Sequence, residues 1–286
     1  MPLRQKLAAM IELCRPEHSA VGAGLCVMLA EGRALRAWPS LHTLALGFAV
    51  GFCLSGSAVI INDYFDLEVD RVNAPWRPLP SGRVSRREVM ILGLAAALAG
   101  LAAAWALGPA VLSVSLVFWL MSFLYNWKLK AHGLWGNGIV AASVAIPLIV
   151  GGLAVGQPWD RILWLLAAMA FFFDLAEEMA ADAADLEGDR RRASRSVVIV
   201  SGRQAALRLA GVLLGVVVGL SALPALWGGL GLPYLAGILA SDVLIAFFTV
   251  KLLQSRTTRE GRGPIRALFV SAALGFVALL AGSWFM

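Results

Sequence analysis

Long apolar runs with few charges restrict the folds open to this sequence. Nine such runs, each about 20 residues long, lie at 14–31, 41–62, 88–107, 109–127, 136–156, 160–180, 204–226, 229–252 and 264–284. A helical run of this length matches the thickness of the hydrocarbon core of a bilayer. A membrane β-barrel would instead need short segments of alternating polarity. The sequence therefore predicts an all-α, polytopic membrane protein with nine transmembrane helices.

The distribution of basic residues predicts the orientation of these helices, because Lys and Arg collect in loops on the cytoplasmic side. If the N-terminus is cytoplasmic, 21 of the 24 basic residues fall on that side, and only Arg33, Arg36 and Arg161 fall outside. We expect a multi-pass protein of the cell membrane with a cytoplasmic N-terminus and an external C-terminus. The N-terminal residues lack the cleavage site of a secretory signal peptide, so the first span is expected to stay.

Neither the net charge nor the cysteines point to a further partner beside membrane lipids. The net charge of +6 follows from the loop bias. Nucleic-acid binding needs a basic face outside the membrane with interleaved aromatic residues, which we do not find, so no nucleic acid is expected. Cys14, Cys26 and Cys53 lie in or beside apolar spans without metal-ligand spacing. They are expected to be packing residues, and no disulfide is predicted.

Acidic residues are concentrated in two stretches, each at the end of a predicted span. Residues 62–70 read NDYFDLEVD and residues 174–189 read DLAEEMAADAADLEGD, and together they hold 11 of the 18 acidic residues. Carboxylates are costly at the end of an apolar run, so something is expected to bind there. Both stretches follow even-numbered spans. Both are therefore expected on the cytoplasmic side, where they can face one another.

On a helix, each stretch presents its polar residues on one face. Asn62, Asp66 and Asp70 recur every four residues, with Asp63 on the flank. The acids of the second stretch that share a face are Glu178, Asp182, Asp185 and Asp189. Like charges at these spacings repel, and a divalent cation reverses the sign of the interaction. Mg2+ is the expected ion, since it takes carboxylates, keeps waters and bridges to phosphate oxygens.

Two basic residues on the same side are candidates for binding a diphosphate. Pro75 and Pro78 restrict the backbone around Arg77 in the 71–87 loop, and planar Arg suits phosphate oxygens. Lys128, in the next cytoplasmic loop, could also reach a phosphate. The alternative is that these residues only set the topology. The aromatic run 171–173 is expected in the core or at the membrane interface, although beside a carbocation its rings could stabilise positive charge.

The two acidic motifs resemble those of the UbiA superfamily of intramembrane prenyltransferases. NDYFDLEVD fits that family's NDxxDxxxD motif, and DAADLEGD fits its DxxDxxxD motif. The other matching segments, in the expected order, are Arg15-Pro16, NAPWRPLPSGR, YNWK with Gly136-Asn137, and Gly202. The chain departs from many archaeal members, which have Arg-Glu and Lys where it has Glu177-Glu178 and Ala181. The family's diphosphate contacts are therefore not carried over to Glu177 and Ala181.

The resemblance implies one prenyltransferase domain over 1–286, a nine-helix bundle around a central cavity. It implies a Mg2+-bound isoprenyl diphosphate at the cytoplasmic end and lateral access from the bilayer. The implied metal ligands, direct or through water, are Asn62, Asp66, Asp70, Asp182 and Asp189, with Asp63 and Asp185 in support. The expected catalytic residues are Asp66, Asp70, Asp182 and Asp189, and the expected diphosphate contacts are Arg77 and Lys128.

The expected reaction transfers an isoprenyl group from its diphosphate to a nucleophilic acceptor. Metal ions and basic side chains neutralise the charge that develops as the allylic C–O bond breaks, and the apolar bundle excludes water. The 62–85 segment is most similar to archaeal members that transfer geranylgeranyl to a hydroxyl of geranylgeranylglyceryl phosphate in ether-lipid synthesis. The alternative acceptor is aromatic, such as 4-hydroxybenzoate in quinone synthesis.

Two competing functions fit the sequence less well. A CDP-alcohol phosphotransferase is also a membrane enzyme with Mg2+ and aspartates, but its signature needs Asp-Gly, which does not occur in this chain. An ion or proton transporter needs acids along a path through the bilayer. Here the acids are expected at one membrane face.

Overall fold

A computed structural model describes residues 3–130, 133–184, 197–227 and 232–284. Every regular element in these ranges is helical. Each of the nine predicted spans overlaps one or more helices in the described part of the chain. Within these described ranges, seven helices are long and apolar enough to cross a membrane. The predicted all-α, multi-pass membrane fold is confirmed.

The helices form two compact units by their internal contacts. The first unit is Met1–Lys128 with Ile146–Trp159, and the second is Leu129–Ala145 with Asp160–Met286. The earlier helices are α1 (Leu3–Cys14), α2 (Pro16–Ser19), α3 (Leu25–Leu35), α4 (Leu41–Phe65), α5 (Leu67–Asn73), α6 (Arg86–Leu107) and α7 (Pro109–Leu124). The later helices are α8 (Leu134–Ala154), α9 (Arg161–Ala184), α10 (Val197–Ser201), α11 (Arg203–Ser221), α12 (Leu223–Trp227), α13 (Leu232–Gln254) and α14 (Thr258–Trp284). The segments Ala20–Gly24 and Tyr125–Leu129 are π-helical.

Local sequence signals account for several helix ends. At the start of α6, the Glu88 carboxylate accepts a hydrogen bond from the Ser85 N–H at 2.9 Å. Ser85 Oγ in turn accepts one from the Glu88 N–H at 3.3 Å, which completes a capping box. Helices α6 and α7 are joined by Gly108 alone, whose φ of 126° favours glycine, and Pro109 then opens α7.

The first unit is built around α4, which packs on α6, α3 and the Ala20–Gly24 segment. Glycines allow these helices to approach closely. A Cβ atom on Gly51 would lie 2.5 Å from the carbonyl oxygen of Ala23, and one on Gly93 would lie 2.8 Å from Cγ1 of Ile61. Small residues at helix interfaces are typical of membrane proteins. This packing fixes α4, whose last turn carries the first acidic motif.

The core of the second unit lies between α9, α11, α13 and α14. Met179, Leu207 and Leu252 are buried there. The aromatic run 171–173 packs against this core, and the ring centroids of Phe173 and Phe269 are 5.6 Å apart. The structure therefore places these three rings, each partly buried, at the edge of the core of the second unit.

Candidate functional site

The first acidic motif runs from the end of α4 into α5. Asp66 N donates to Asn62 O at 2.9 Å, and Asp70 N donates to Asp66 O at 2.8 Å. The three residues are therefore one turn apart along one face, as the spacing predicts. The backbone nevertheless breaks at Asp66 (φ −86°, ψ 3°), and α5 continues the motif to Asn73. The loop after the motif is consequently 74–85, shorter than the predicted 71–87.

Two arginines balance the buried carboxylates of this motif. Asp63 is 3% exposed; its Oδ1 accepts a hydrogen bond from Arg15 Nη2 at 2.6 Å and lies 3.6 Å from Arg77 Nη1. Arg77 Nη1 also donates to both Asp70 carboxylate oxygens, at 2.9 and 2.7 Å. A buried carboxylate is costly without a cationic partner. These ion pairs therefore hold the distant Arg15 and the loop that follows the motif against its carboxylates.

Arg15 reaches Asp63 from an uncommon backbone conformation. Its φ of 40° and ψ of 62° are left-handed, and it caps α2, whose first residue is Pro16. A proline disfavours the right-handed helical conformation in the residue before it. Strained backbone positions cluster at functional sites. The Arg15-Pro16 dipeptide is a sequence signal for the break in the helix at this point. Nothing in the local sequence indicates that Arg15 pairs with Asp63.

The 74–85 loop that carries Arg77 is ordered by contacts at both of its sides. Leu79 and Val84 are buried in the apolar cluster of the first unit. Arg83 donates to both carboxylate oxygens of Glu12 on α1, at 2.6 and 2.9 Å. The hydrogen bond to Glu12 raises the pKa of the Arg83 guanidinium above its ordinary value. Arg77 is therefore presented by a fixed loop.

The other predicted diphosphate contact, Lys128, lies at the end of the same unit. Its side chain is exposed, and Nζ is 4.2 Å from the centre of the Trp127 ring. A cation at this distance from an indole face is attracted by the ring. The contact restricts where the ammonium group lies without neutralising it.

Asn126, which the sequence offered only as part of the YNWK segment and with no role assigned, contacts the first motif directly. Asn62 Nδ2 donates to Asn126 Oδ1 at 2.8 Å, and Asn126 Nδ2 donates to the carbonyl of Ala58 at 3.4 Å. Asn126 is 8% exposed. An amide within the last residues of the apolar run 109–127 is the signal that could have revealed it, because buried amides need partners.

The second acidic motif begins inside α9, where Asn137 of α8 reaches it. Asn137 Nδ2 donates to Asp182 Oδ2 at 2.9 Å, and Asn137 is 8% exposed. Asp185 and Asp189, the remaining predicted ligands of this motif, lie outside the described residues. Asn137 entered the sequence analysis only as part of the family resemblance, with no contact assigned to it.

Glu177 and Glu178 point in different directions on α9. Glu178 precedes Asp182 by one turn and shares its face, whereas Glu177 lies roughly 140° round the helix from Asp182. Glu177 instead lines a small, mostly apolar pocket whose other walls include Phe173 and Leu214. This placement agrees with the departure from the family pattern, which gave no reason to carry a diphosphate contact over to Glu177.

The donor atoms of each motif, taken within its own unit, fit a hard divalent cation. Asn62, Asp66, Asp70 and Asp182 offer amide and carboxylate oxygens, which Mg2+ prefers. Among the residues that the structure describes, no three His, Cys, Asp or Glu side chains cluster closely enough to hold a metal alone. Mg2+ at phosphate sites commonly uses one or two carboxylates together with substrate phosphates. The donor set therefore suits Mg2+ that arrives with a diphosphate.

Comparison with known proteins gives a match over most of the chain. Residues 21–271 match the model of the UbiA prenyltransferase family. Two relatives named digeranylgeranylglyceryl phosphate synthase, from Thermococcus kodakarensis and Methanopyrus kandleri, are 33% and 35% identical to this chain. Each comparison covers 96% of this chain, with 98% and 99% of the respective relative.

Solved structures share the fold. A structure described in terms of digeranylgeranylglyceryl phosphate synthase in membranes has a TM-score of 0.86 at 24% identity, covering 98% of this chain and 99% of that chain. A UbiA homologue from Archaeoglobus fulgidus bound to GPP and Mg2+ has a TM-score of 0.65 at 18% identity, covering 95% and 99%. At these identities the likeness establishes the fold.

Proposed function

This chain belongs to the UbiA prenyltransferase family, and from this premise we propose that it transfers geranylgeranyl from its diphosphate to the free hydroxyl of geranylgeranylglyceryl phosphate. The choice of acceptor is supported by the near full-length similarity to relatives named digeranylgeranylglyceryl phosphate synthase. The family match runs through both compact units. It supports 1–286 as one prenyltransferase domain.

Arg77 and Lys128 are proposed to bind the diphosphate of the donor. The contacts of Arg77 with Asp63 and Asp70 all use Nη1. Among the described residues, Nη2 and Nε of Arg77 have no protein partner, so their N–H groups remain for phosphate oxygens. Asp70 also fixes where the guanidinium points before substrate arrives. This ordering reduces the entropy lost on binding.

The oxygen donors described above would hold Mg2+. Asn62, Asp66 and Asp70 would do so in the first unit, and Asp182 with Asp185 and Asp189 in the second. Asp63 would support them by holding Arg15 and Arg77 in place. When bound, Mg2+ neutralises negative charge on the leaving diphosphate. A fold neighbour solved with GPP and Mg2+ supports this assignment.

The reaction breaks the allylic C–O bond of the donor and forms an ether C–O bond to the acceptor hydroxyl, with release of diphosphate and a proton. Arg77 and Lys128 would stabilise the charge that gathers on the diphosphate as the bond breaks. The apolar helices would house the prenyl chains and exclude water, which otherwise captures the allylic cation. We place both motifs and the N-terminus on the cytoplasmic side, since the basic residues favour that orientation.

A product assay tests the acceptor. Purified protein receives Mg2+ and labelled geranylgeranyl diphosphate, with geranylgeranylglyceryl phosphate and 4-hydroxybenzoate offered separately and then together. The proposal predicts the diether phosphate as the dominant product when both are present. Prenylated hydroxybenzoate as the dominant product, with no diether phosphate, would overturn the acceptor and leave the prenyltransferase chemistry intact.

A further inference from the structure

Each acidic motif has a buried asparagine bonded to one of its proposed metal ligands. Asn126 contacts Asn62 in the first unit, and Asn137 contacts Asp182 in the second. Both asparagines are 8% exposed. Asn126 lies in the π-helical segment after α7, and Asn137 follows 11 residues later near the start of α8. We propose that they are positioning residues that orient the Asn62 amide and the Asp182 carboxylate. This inference rests on the metal role proposed above for Asn62 and Asp182.

In the first unit, two side-chain amides form a directed chain. Asn126 Nδ2 donates to the Ala58 carbonyl, and this orients Asn126 so that its Oδ1 accepts from Asn62 Nδ2. The nitrogen and oxygen of an amide point in opposite directions, so Asn62 Oδ1 is turned away from Asn126. Only that oxygen can bind a cation, because the NH2 group is a donor. Asn126 therefore acts on Asn62 as an acceptor.

In the second unit, the polarity of the contact is reversed. Asn137 Nδ2 donates to Asp182 Oδ2 at 2.9 Å and so fixes the rotation of the carboxylate. A neutral donor holds the group without removing the negative charge that a cation needs. A carboxylate fixed in advance loses less conformational entropy when a ligand binds. Asn137 therefore acts on Asp182 as a donor.

The opposite polarities make one substitution diagnostic. Asn126→Asp keeps an oxygen that accepts from Asn62 and removes the donor to the Ala58 carbonyl. Asn137→Asp has nearly the same size change but removes the donor and places a second carboxylate beside Asp182, where like charges repel. Residues that served packing alone would respond alike to this isosteric change. The proposal therefore predicts a mild effect at Asn126 and a severe one at Asn137.

Calorimetry on the purified full chain in detergent tests this without turnover. The probe is geranylgeranyl thiodiphosphate, whose bond between the allylic carbon and the leaving group breaks poorly. It is titrated in the presence and absence of Mg2+. Asn126→Leu and Asn137→Asp are each expected to weaken Mg2+-dependent binding about tenfold or more, and Asn126→Asp only about threefold. The control Gln204→Glu makes the same amide-to-acid change at an exposed position on α11, and it is expected to bind like the wild type.

The outcomes separate this inference from the proposed function. A wild-type protein that binds the probe equally with and without Mg2+ contradicts the metal role itself. If the wild type depends on Mg2+ but Asn126→Leu and Asn137→Asp bind as tightly, the positioning role is overturned. Equal losses in Asn126→Asp and Asn137→Asp overturn the assigned polarities. Should the leucine variant or the acid variant fail to fold, Asn126→Ala and Asn137→Ala, which add no bulk or charge, must still weaken binding.

Discussion

Asp63 is balanced by arginines that come from two different parts of the chain. Arg15 makes the shorter contact, at 2.6 Å, whereas Arg77 lies 3.6 Å away and shares the same Nη1 with Asp70. Removing Arg15 would therefore leave a carboxylate that is 3% exposed with one distant, shared partner. The stability of this end of α4 should depend on Arg15 more than on other arginines.

We predict that Arg15→Ala lowers the free energy of unfolding by about 2 kcal/mol, below the value for a fully buried pair because Arg15 is partly exposed. Thermal or denaturant unfolding in detergent measures the change. Arg36→Ala is the matched control, since Arg36 is also left-handed (φ 55°) but exposed. Equal stability of the two variants would mean that Arg15 serves the topology only.

Removing the Arg77 side chain should raise the KM for the prenyl donor. Arg77→Ala should raise the apparent KM for geranylgeranyl diphosphate about tenfold or more, because charge-assisted contacts with the diphosphate are lost. Lys128→Ala should raise it in the same direction. Arg71→Ala is the control, because Arg71 is exposed and pairs with Glu68 one turn away. An unchanged KM in both the Arg77 and Lys128 variants argues that these charges only set the topology.

At the residue scale, the sequence predicted what depends on local spacing and missed what depends on distant contacts. Asn62, Asp66 and Asp70 share a face because helix periodicity alone puts them there. The partners of Asp63, Asn62 and Asp182 are Arg15, Asn126 and Asn137, which lie 48, 64 and 45 residues away along the chain. No short-range pattern encodes pairings of that length.

At the scale of the helices, hydrophobicity located the spans and left their ends and breaks undetermined. The predicted span 14–31 is built from α2, a π-helical segment and α3, and it begins after Arg15 because Pro16 opens a new helix. The end of α4 lies at Phe65 instead of residue 62. Hydrophobic composition indicates which residues lie in the membrane. The positions of helix caps and π-helical turns depend instead on the groups that contact the backbone, which composition does not indicate.

The glycine contacts of α4 can be tested with a pair of alanine variants. Gly51→Ala should destabilise the protein by about 1–3 kcal/mol, because its Cβ would meet the backbone of Ala23 and force α4 outward. Gly215→Ala on α11 meets nothing within 4 Å and should be neutral or stabilising by up to about 1 kcal/mol. Unfolding in detergent compares them. If Gly51→Ala is as stable as Gly215→Ala, the inferred close packing of α4 against the backbone of Ala23 is wrong.

At the scale of the whole molecule, the orientation in the membrane is a prediction from the basic residues. A fusion of alkaline phosphatase after Met286 should be active, because this enzyme needs the external side, and a fluorescent protein fused there should be dark. The same fusions placed in the 74–85 loop should give the reverse pattern. A fluorescent C-terminal fusion would contradict the assigned orientation.

The membrane fold and the acidic motifs could be predicted from the sequence because apolar run length and acid spacing are local properties. The acceptor could not be derived in the same way. Its pocket depends on side chains from several helices, and the same metal chemistry serves lipid and aromatic acceptors. The lipid acceptor is supported by the resemblance of the 62–85 segment and by the named relatives.

The central claim is that Mg2+-dependent prenyl transfer requires the aspartates of both acidic motifs, and an activity assay tests it most directly. Purified wild-type protein is compared with Asp66→Ala and Asp182→Ala for diphosphate release and labelled product, from geranylgeranyl diphosphate and geranylgeranylglyceryl phosphate. Glu68→Ala is the control, because Glu68 belongs to the first stretch but its side chain is 70% exposed. Both aspartate variants are expected to stay folded and to lose most turnover, whereas Glu68→Ala should keep it. Excess EDTA is expected to abolish wild-type activity. Near-normal turnover in either aspartate variant, or full activity in EDTA, would contradict this claim.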